Sequence, residues 1–74
     1  MAVLRVLNHN GDDRVEWDPE VADERMRRAK ALFETKLRNG WFAFDADGEG
    51  TGTQVRRFDP GADEIVIQPP IAGG

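Results

Sequence analysis

One stretch of this chain repeats its apolar residues at helical spacing: Ala22, Met26, Ala29, Phe33 and Leu37, with Leu32 widening the stripe. A stripe of that kind has to be covered. Within 74 residues there is no second helix to cover it, so its partner must be a sheet built from the flanking segments. The punctuation around the stripe is clear. Asp18 is placed to accept from free N–H groups as N-cap, and Pro19 suits the first helical position, where a donor would be unpaired anyway. Asn39-Gly40 ends the helix, with Gly40 as a left-handed cap. At ~1.5 Å per residue the predicted helix is about 30 Å long.

The flanks read as strands. Residues 2–7 are β-branched and apolar, and they run into Asn8-His9-Asn10-Gly11. Asn10-Gly11 signals a hairpin, because both residues tolerate positive φ. Residues 14–17 alternate polar and apolar, as a strand with one buried face should. After the helix come Trp41 to Phe44, a polar glycine-rich connection over 45–52, and a fourth strand over 53–58. The turn at 59–63 leads to a fifth strand over 64–68, and Pro69-Pro70 stops it by removing two backbone donors. The order is β-β-α-β-β-β. With a right-handed crossover from the first hairpin, a later strand lies parallel to the first. The predicted class is therefore α+β, a β-grasp (ubiquitin-like) mixed sheet with one helix packed on one face; an antiparallel meander with the helix laid across it is the competing layout of the same element order. The expected core-facing set is Leu4, Val6, Val15, Trp17, Phe42, Phe44, Val55, Ile65 and Ile67.

Composition narrows the functional classes. A chain 39% hydrophobic and 32% charged has enough apolar content to fold, and its length fits one small domain. Without cysteine it has no disulfide, no zinc-thiolate site and no thiol nucleophile. No apolar run spans a bilayer, and Arg5 follows the N-terminus too closely for a signal peptide, so no membrane association and a cytoplasmic location are expected. The net charge is −4, yet bases gather on the helix: Arg25, Arg27, Arg28, Lys30, Lys36 and Arg38. Asp23 with Arg27, Glu24 with Arg28 and Glu34 with Arg38 are i, i+4 pairs in the favourable orientation. An internally paired, solvated face is expected there rather than a nucleic-acid surface.

The chain closes on Pro69-Pro70-Ile71-Ala72-Gly73-Gly74. Two terminal glycines add nothing to a core, and their ordering is entropically costly. Residues 63–74, an acidic turn, a last strand, two prolines, a hydrophobic residue and Gly-Gly, resemble the ending of the sulfur-carrier proteins of molybdopterin synthase. The whole chain also looks like short bacterial ubiquitin-like proteins that end in Gly-Gly. The resemblance implies a domain over residues 1–70 and a flexible tail over 71–74, with Gly73 and Gly74 as the activation site. It implies a partner enzyme that adenylates the Gly74 carboxylate with ATP. A sulfur nucleophile then forms a thiocarboxylate or a thioester, for delivery to a synthase subunit or an acceptor protein. In that scheme the domain is a substrate rather than an enzyme, holds no cofactor, and is a monomer when free.

Other constellations are weaker. Asp45-Ala46-Asp47-Gly48-Glu49-Gly50 opens like a calcium loop, but its twelfth position is Arg56 where a bidentate Glu is needed, so no metal is expected. His9 stands alone in a turn, and the acid pairs Asp12-Asp13 and Asp63-Glu64 read as solvated. Trp41, Val66, Val3 and Leu7, with Arg5 and Arg57 nearby, form an exposed patch on the sheet face away from the helix in one of two equally open readings; in the other, a one-residue register change puts part of the set on the opposite face. Trp41, Arg57, Val66 and Ile71 are accordingly the expected partner-binding residues. Two other functions fit less well: a non-covalent interaction module with an incidental tail, and a small regulator that holds an anionic partner through the helix bases.

Overall fold

A computed structural model describes residues 1–8, 11–46 and 52–70; the side chain of Asp12 is not described. Ile71, Gly73 and Gly74, His9 and Asn10, and most of the calcium-like loop lie outside the described residues. The elements are β1 (Ala2–Asn8), β2 (Gly11–Trp17), α1 (Glu24–Arg38), β3 (Phe42–Asp45), β4 (Thr53–Val55) and β5 (Glu64–Gln68). They form one five-stranded sheet in the order β2-β1-β5-β3-β4, with α1 packed on one face. β1 and β5 run parallel at its centre, and the other neighbours are antiparallel, so the sheet is mixed.

The first hairpin pairs Ala2 with Trp17 through to Asn8 with Gly11. Gly11, at φ +117°, is the first residue of β2 and not the second residue of the turn as its sequence suggests. The parallel β1–β5 contact is entered by a hydrogen bond from Val3 N–H to the Asp63 carbonyl at 3.0 Å. The preceding turn is fixed twice over. Ala62 N–H donates to the Asp59 carbonyl at 3.1 Å, and Gly61 N–H donates to its carboxylate at 2.9 Å.

Leu4, Val6, Trp17, Ala29, Phe33, Ala43, Ile65 and Ile67 make the core with Ala2 and Ala62, and none is more than 6% exposed. Each buried Leu, Ile or Phe contributes about 1.5–3 kcal/mol against leaving it in water. Val15, Val55 and Phe58 pack on this core from its margins. Trp17 is locked by its indole N–H, which donates to the Pro60 carbonyl at 3.0 Å, and by the Phe58 ring at 5.2 Å.

Three sequence expectations are corrected. The helix starts at Glu24, capped by Asp23, whose carboxylate accepts from Arg25 N–H at 3.0 Å and Met26 N–H at 3.4 Å. Asp18 instead closes a turn, accepting from Glu20 N–H at 2.9 Å through its side chain and Val21 N–H at 3.0 Å through its carbonyl. Both aspartates are competent caps; the turn at Asp18 leaves Ala22 exposed and shortens the helix to about 22 Å.

The second correction concerns β3. Ala43, not Phe42 or Phe44, faces the helix, in register with Ile67 on one side and Val55 on the other. A strand alternates faces, so one small residue inward sends both aromatic rings outward. The third concerns β4, which stops at Val55. Had it continued regularly, Phe58 would point with Gln54 to the outer face; the bend at Arg56-Arg57 turns Phe58 inward, against Trp17 and, edge-on, Phe33.

Candidate functional site

The helix ends in a Schellman arrangement that determines where Trp41 goes. Gly40 N–H donates to the Leu37 carbonyl at 3.1 Å and Trp41 N–H to the Lys36 carbonyl at 3.0 Å, while Gly40 takes φ +90°. This draws Trp41 back over the last turn, where Lys36 Nζ lies 4.2 Å from its ring centroid in a cation–π contact. Trp41 therefore packs against the core margin on the helix side of the sheet.

The face away from the helix carries different residues. Val66 lies between Arg5 on β1 and Phe44 on β3, and Phe42 pairs with Gln68 at the end of β5. Val3, Val66 and Phe44 are half-buried, while Phe42 and Leu7 are 41% and 37% exposed. Arg5 donates to Glu64 at 3.2 Å across this face. The result is an apolar surface with a charged pair inside it, and none of the described elements covers it. Phe42 and Phe44 belong to it and were missed by sequence reasoning, which turned both inward. A short alternating run of four residues with Ala43 between two Phe was the available signal.

The expected partner-binding residues are thus split. Val66 sits at the centre of the outer face. Trp41 and Arg57 lie on the helix side, separated from Val66 by the sheet, and Ile71 is outside the described residues. Between α1 and the β4 margin runs a trough made of two adjoining hollows of about 580 and 360 Å³ that share Leu37 and Arg56. Trp41 borders the smaller and Arg57 the larger.

The paired helix face forms only in part. Of the three expected i, i+4 pairs, Glu24 and Arg28 meet at 3.9 Å, both well exposed. Asp23 is drawn to Arg25 at 3.2 Å instead, because its carboxylate is already turned toward the helix N-terminus as the cap. Partial desolvation raises the Asp23 pKa. The Met26 backbone N–H, the Arg25 guanidinium and the Arg25 N–H outweigh it and hold the carboxyl below its ordinary range. Arg27, Lys30 and Arg38 make no ion pair among the described residues.

Among the described residues no polar or charged side chain is buried, and no group of three or more His, Asp or Glu side chains is gathered as a metal site would need. No helix there is long and apolar enough to cross a membrane. What the described surface offers chemically is binding: an apolar sheet face, a cationic trough, and a central strand that delivers the chain to Pro69 and Pro70, both exposed. Comparison of the chain with protein-family models, with curated proteins and with solved structures gave no match.

Proposed function

We propose that this protein is a ubiquitin-like sulfur carrier or protein modifier of β-grasp fold, acting in the cytoplasm through Gly73 and Gly74. The observation that carries the reading is the course of β5. It is the middle strand of the sheet, parallel to β1, and past Gln68 the exposed Pro69 and Pro70 lead away without offering a donor to any neighbour. The four residues that follow reach about 14 Å when extended, enough for a terminal carboxylate to enter a partner's active site while the domain stays outside.

The chemistry is supplied by the partner. The Gly74 carboxylate attacks the α-phosphorus of ATP and expels pyrophosphate, giving an acyl adenylate. A sulfur nucleophile then attacks the glycyl carbonyl and expels AMP. Hydrosulfide-level sulfur leaves a thiocarboxylate; a cysteine thiol leaves a thioester that passes to an acceptor. Glycine at both positions lets the backbone pass where a Cβ would obstruct it. Contacts made far from the reacting carbon position it, and the outer face around Val66, Phe44 and Phe42 is the surface for them.

Intact-mass analysis of the protein from its native cells tests this. The expected result is a fraction in which sulfur replaces one carboxylate oxygen, or a fraction joined through Gly74 to an acceptor lysine. Deleting Gly74 removes both and leaves the melting temperature unchanged. Mass extending beyond Gly74, or a terminus that remains an unmodified carboxylate in the presence of ATP and native extract, refutes the reading. The uncovered outer face also favours a second reading, a non-covalent interaction module. In that case Gly74 deletion is silent, and Val66→Asp alone abolishes partner binding.

A further inference from the structure

The trough on the helix side is unlike the rest of the surface. Its larger hollow is lined by four cations, Lys30, Arg38, Arg56 and Arg57, against one carboxylate, Glu34, on a chain of net charge −4. None of the four makes an ion pair among the described residues. Beneath them the floor is apolar, formed by Leu37, Phe58 and the edge of the buried Phe33. Four cations that make no ion pair among the described residues lie together over an apolar floor. They repel one another at some cost to stability.

We infer that this trough is a docking site for an extended acidic peptide segment of a partner protein, with apolar residues at its centre and carboxylates at its ends. Charge complementarity selects an anionic occupant, and the floor selects one with aliphatic side chains. Its backbone has somewhere to pair. β4 is an edge strand bonded to β3 alone among the described strands, so its outer edge is open to an added strand. The size agrees. Lys30 and Arg38 are eight residues apart on α1, about 12 Å along the axis, and about four residues of extended chain cover that distance. A nucleic acid fits less well, since the floor presents apolar side chains, which suit aliphatic residues and not a phosphate backbone. The inference does not depend on any chemistry at Gly74.

The test uses the full chain and a fluorescently labelled, end-blocked heptapeptide, Glu-Glu-Leu-Val-Leu-Glu-Glu. Its lysine-for-glutamate counterpart and a seven-nucleotide oligothymidylate are the controls. Saturable binding of the acidic peptide is expected, weakening with added salt. Amide shifts should be confined to residues around Lys30, Leu37, Arg38 and Gln54 to Phe58. Exposed pairs are individually weak, so reversing two of them together, Arg56→Glu with Arg57→Glu, is expected to weaken binding roughly tenfold. Lys30→Glu, on the opposite bank, should weaken it in the same direction. Both variants should keep the parent melting temperature, and the doubly reversed protein should prefer the lysine peptide. No binding of the acidic peptide overturns the inference. So do equal binding of both peptides, tighter binding of the oligonucleotide, or shifts centred on Val66 and Phe44.

Discussion

The orientation of β3 decides whether the outer face is an aromatic binding surface or a plain one, and stability measurements can read it. Two substitutions suffice, Phe42→Ala and Ala43→Leu. Truncating a core phenylalanine to alanine costs about 3–5 kcal/mol, because a cavity remains as well as lost transfer energy. Phe42 is 41% exposed, so at most three-fifths of a full burial, about 1–2 kcal/mol, is at stake, and no closed cavity is left. Ala43 is 1% exposed, flanked by Ile67 and Val55 and roofed by α1. Adding the isobutyl branch there forces neighbours off their rotamers, at about 1–3 kcal/mol. Were the strand turned over, the order would invert. Phe42→Ala would be the severe change, and Ala43→Leu would be close to neutral on a solvated face, since a one-residue slip exchanges the two faces entirely. Urea unfolding followed by circular dichroism supplies both values from midpoint and slope. A loss above about 3 kcal/mol for Phe42→Ala, together with an unchanged midpoint for Ala43→Leu, refutes the register and with it the outer-face surface.

The Trp17 anchor and the Asp23 cap give two further expectations. Trp17→Phe removes the hydrogen bond to the Pro60 carbonyl, about 1 kcal/mol, and leaves a ring-sized gap beside Phe58 worth about 1–2 more. That sum is a large share of the roughly 4–11 kcal/mol a chain this size commands, and it should appear as a lower urea midpoint at unchanged slope; a loss below about 1 kcal/mol would mean the indole N–H is not engaged. For Asp23, the folded carboxyl titrates below its ordinary value, so its contribution is complete above the unfolded pKa and is lost as pH falls through the folded one. The melting-temperature gap between the parent protein and Asp23→Asn should therefore be open at neutral pH and close in acid. A gap that is the same at both ends contradicts the assignment of the cap charge.

The sequence carried most of the architecture because its signals were local and strong. The stripe from Met26 to Leu37, the Gly40 cap, the Asp59-Pro60-Gly61 turn and the Ile65-Val66-Ile67 run each lie where such residues place them. The errors arose where local signals were ambiguous or silent. Asp18 and Asp23 offered the same capping chemistry, and only the turn that closes at Val21 separates them. In β3, hydrophobicity pointed two phenylalanines inward, whereas the space under α1 accepts an alanine between Ile67 and Val55. In β4, Phe58 is recruited to the core by a bend, which no alternation pattern encodes. Trp41 was then assigned to the wrong side by the inverted β3 parity, since a residue's face follows from its neighbours' register.

That parity has a consequence for how partners would assemble on the domain. Val66, Phe44 and Phe42 occupy one side of a single sheet; Leu37, Arg56 and Arg57 occupy the other, beside the helix. The larger hollow shares no lining residue with the outer face, so occupying it leaves that face accessible, whereas Phe42 borders both the outer face and the smaller hollow. Both surfaces reach the same end of the sheet, where Phe42 pairs with Gln68 and Trp41 closes the helix. Pro69 and Pro70 leave from that end. A partner seated on the outer face would lie beside the point where Pro69 and Pro70 leave the sheet. A second partner could hold an acidic segment in the larger hollow without obstructing them. Binding at the two faces should then be additive in free energy, since contacts further apart than about 7–10 Å with no common partner seldom couple. Competition between an outer-face ligand and the acidic heptapeptide would contradict that independence.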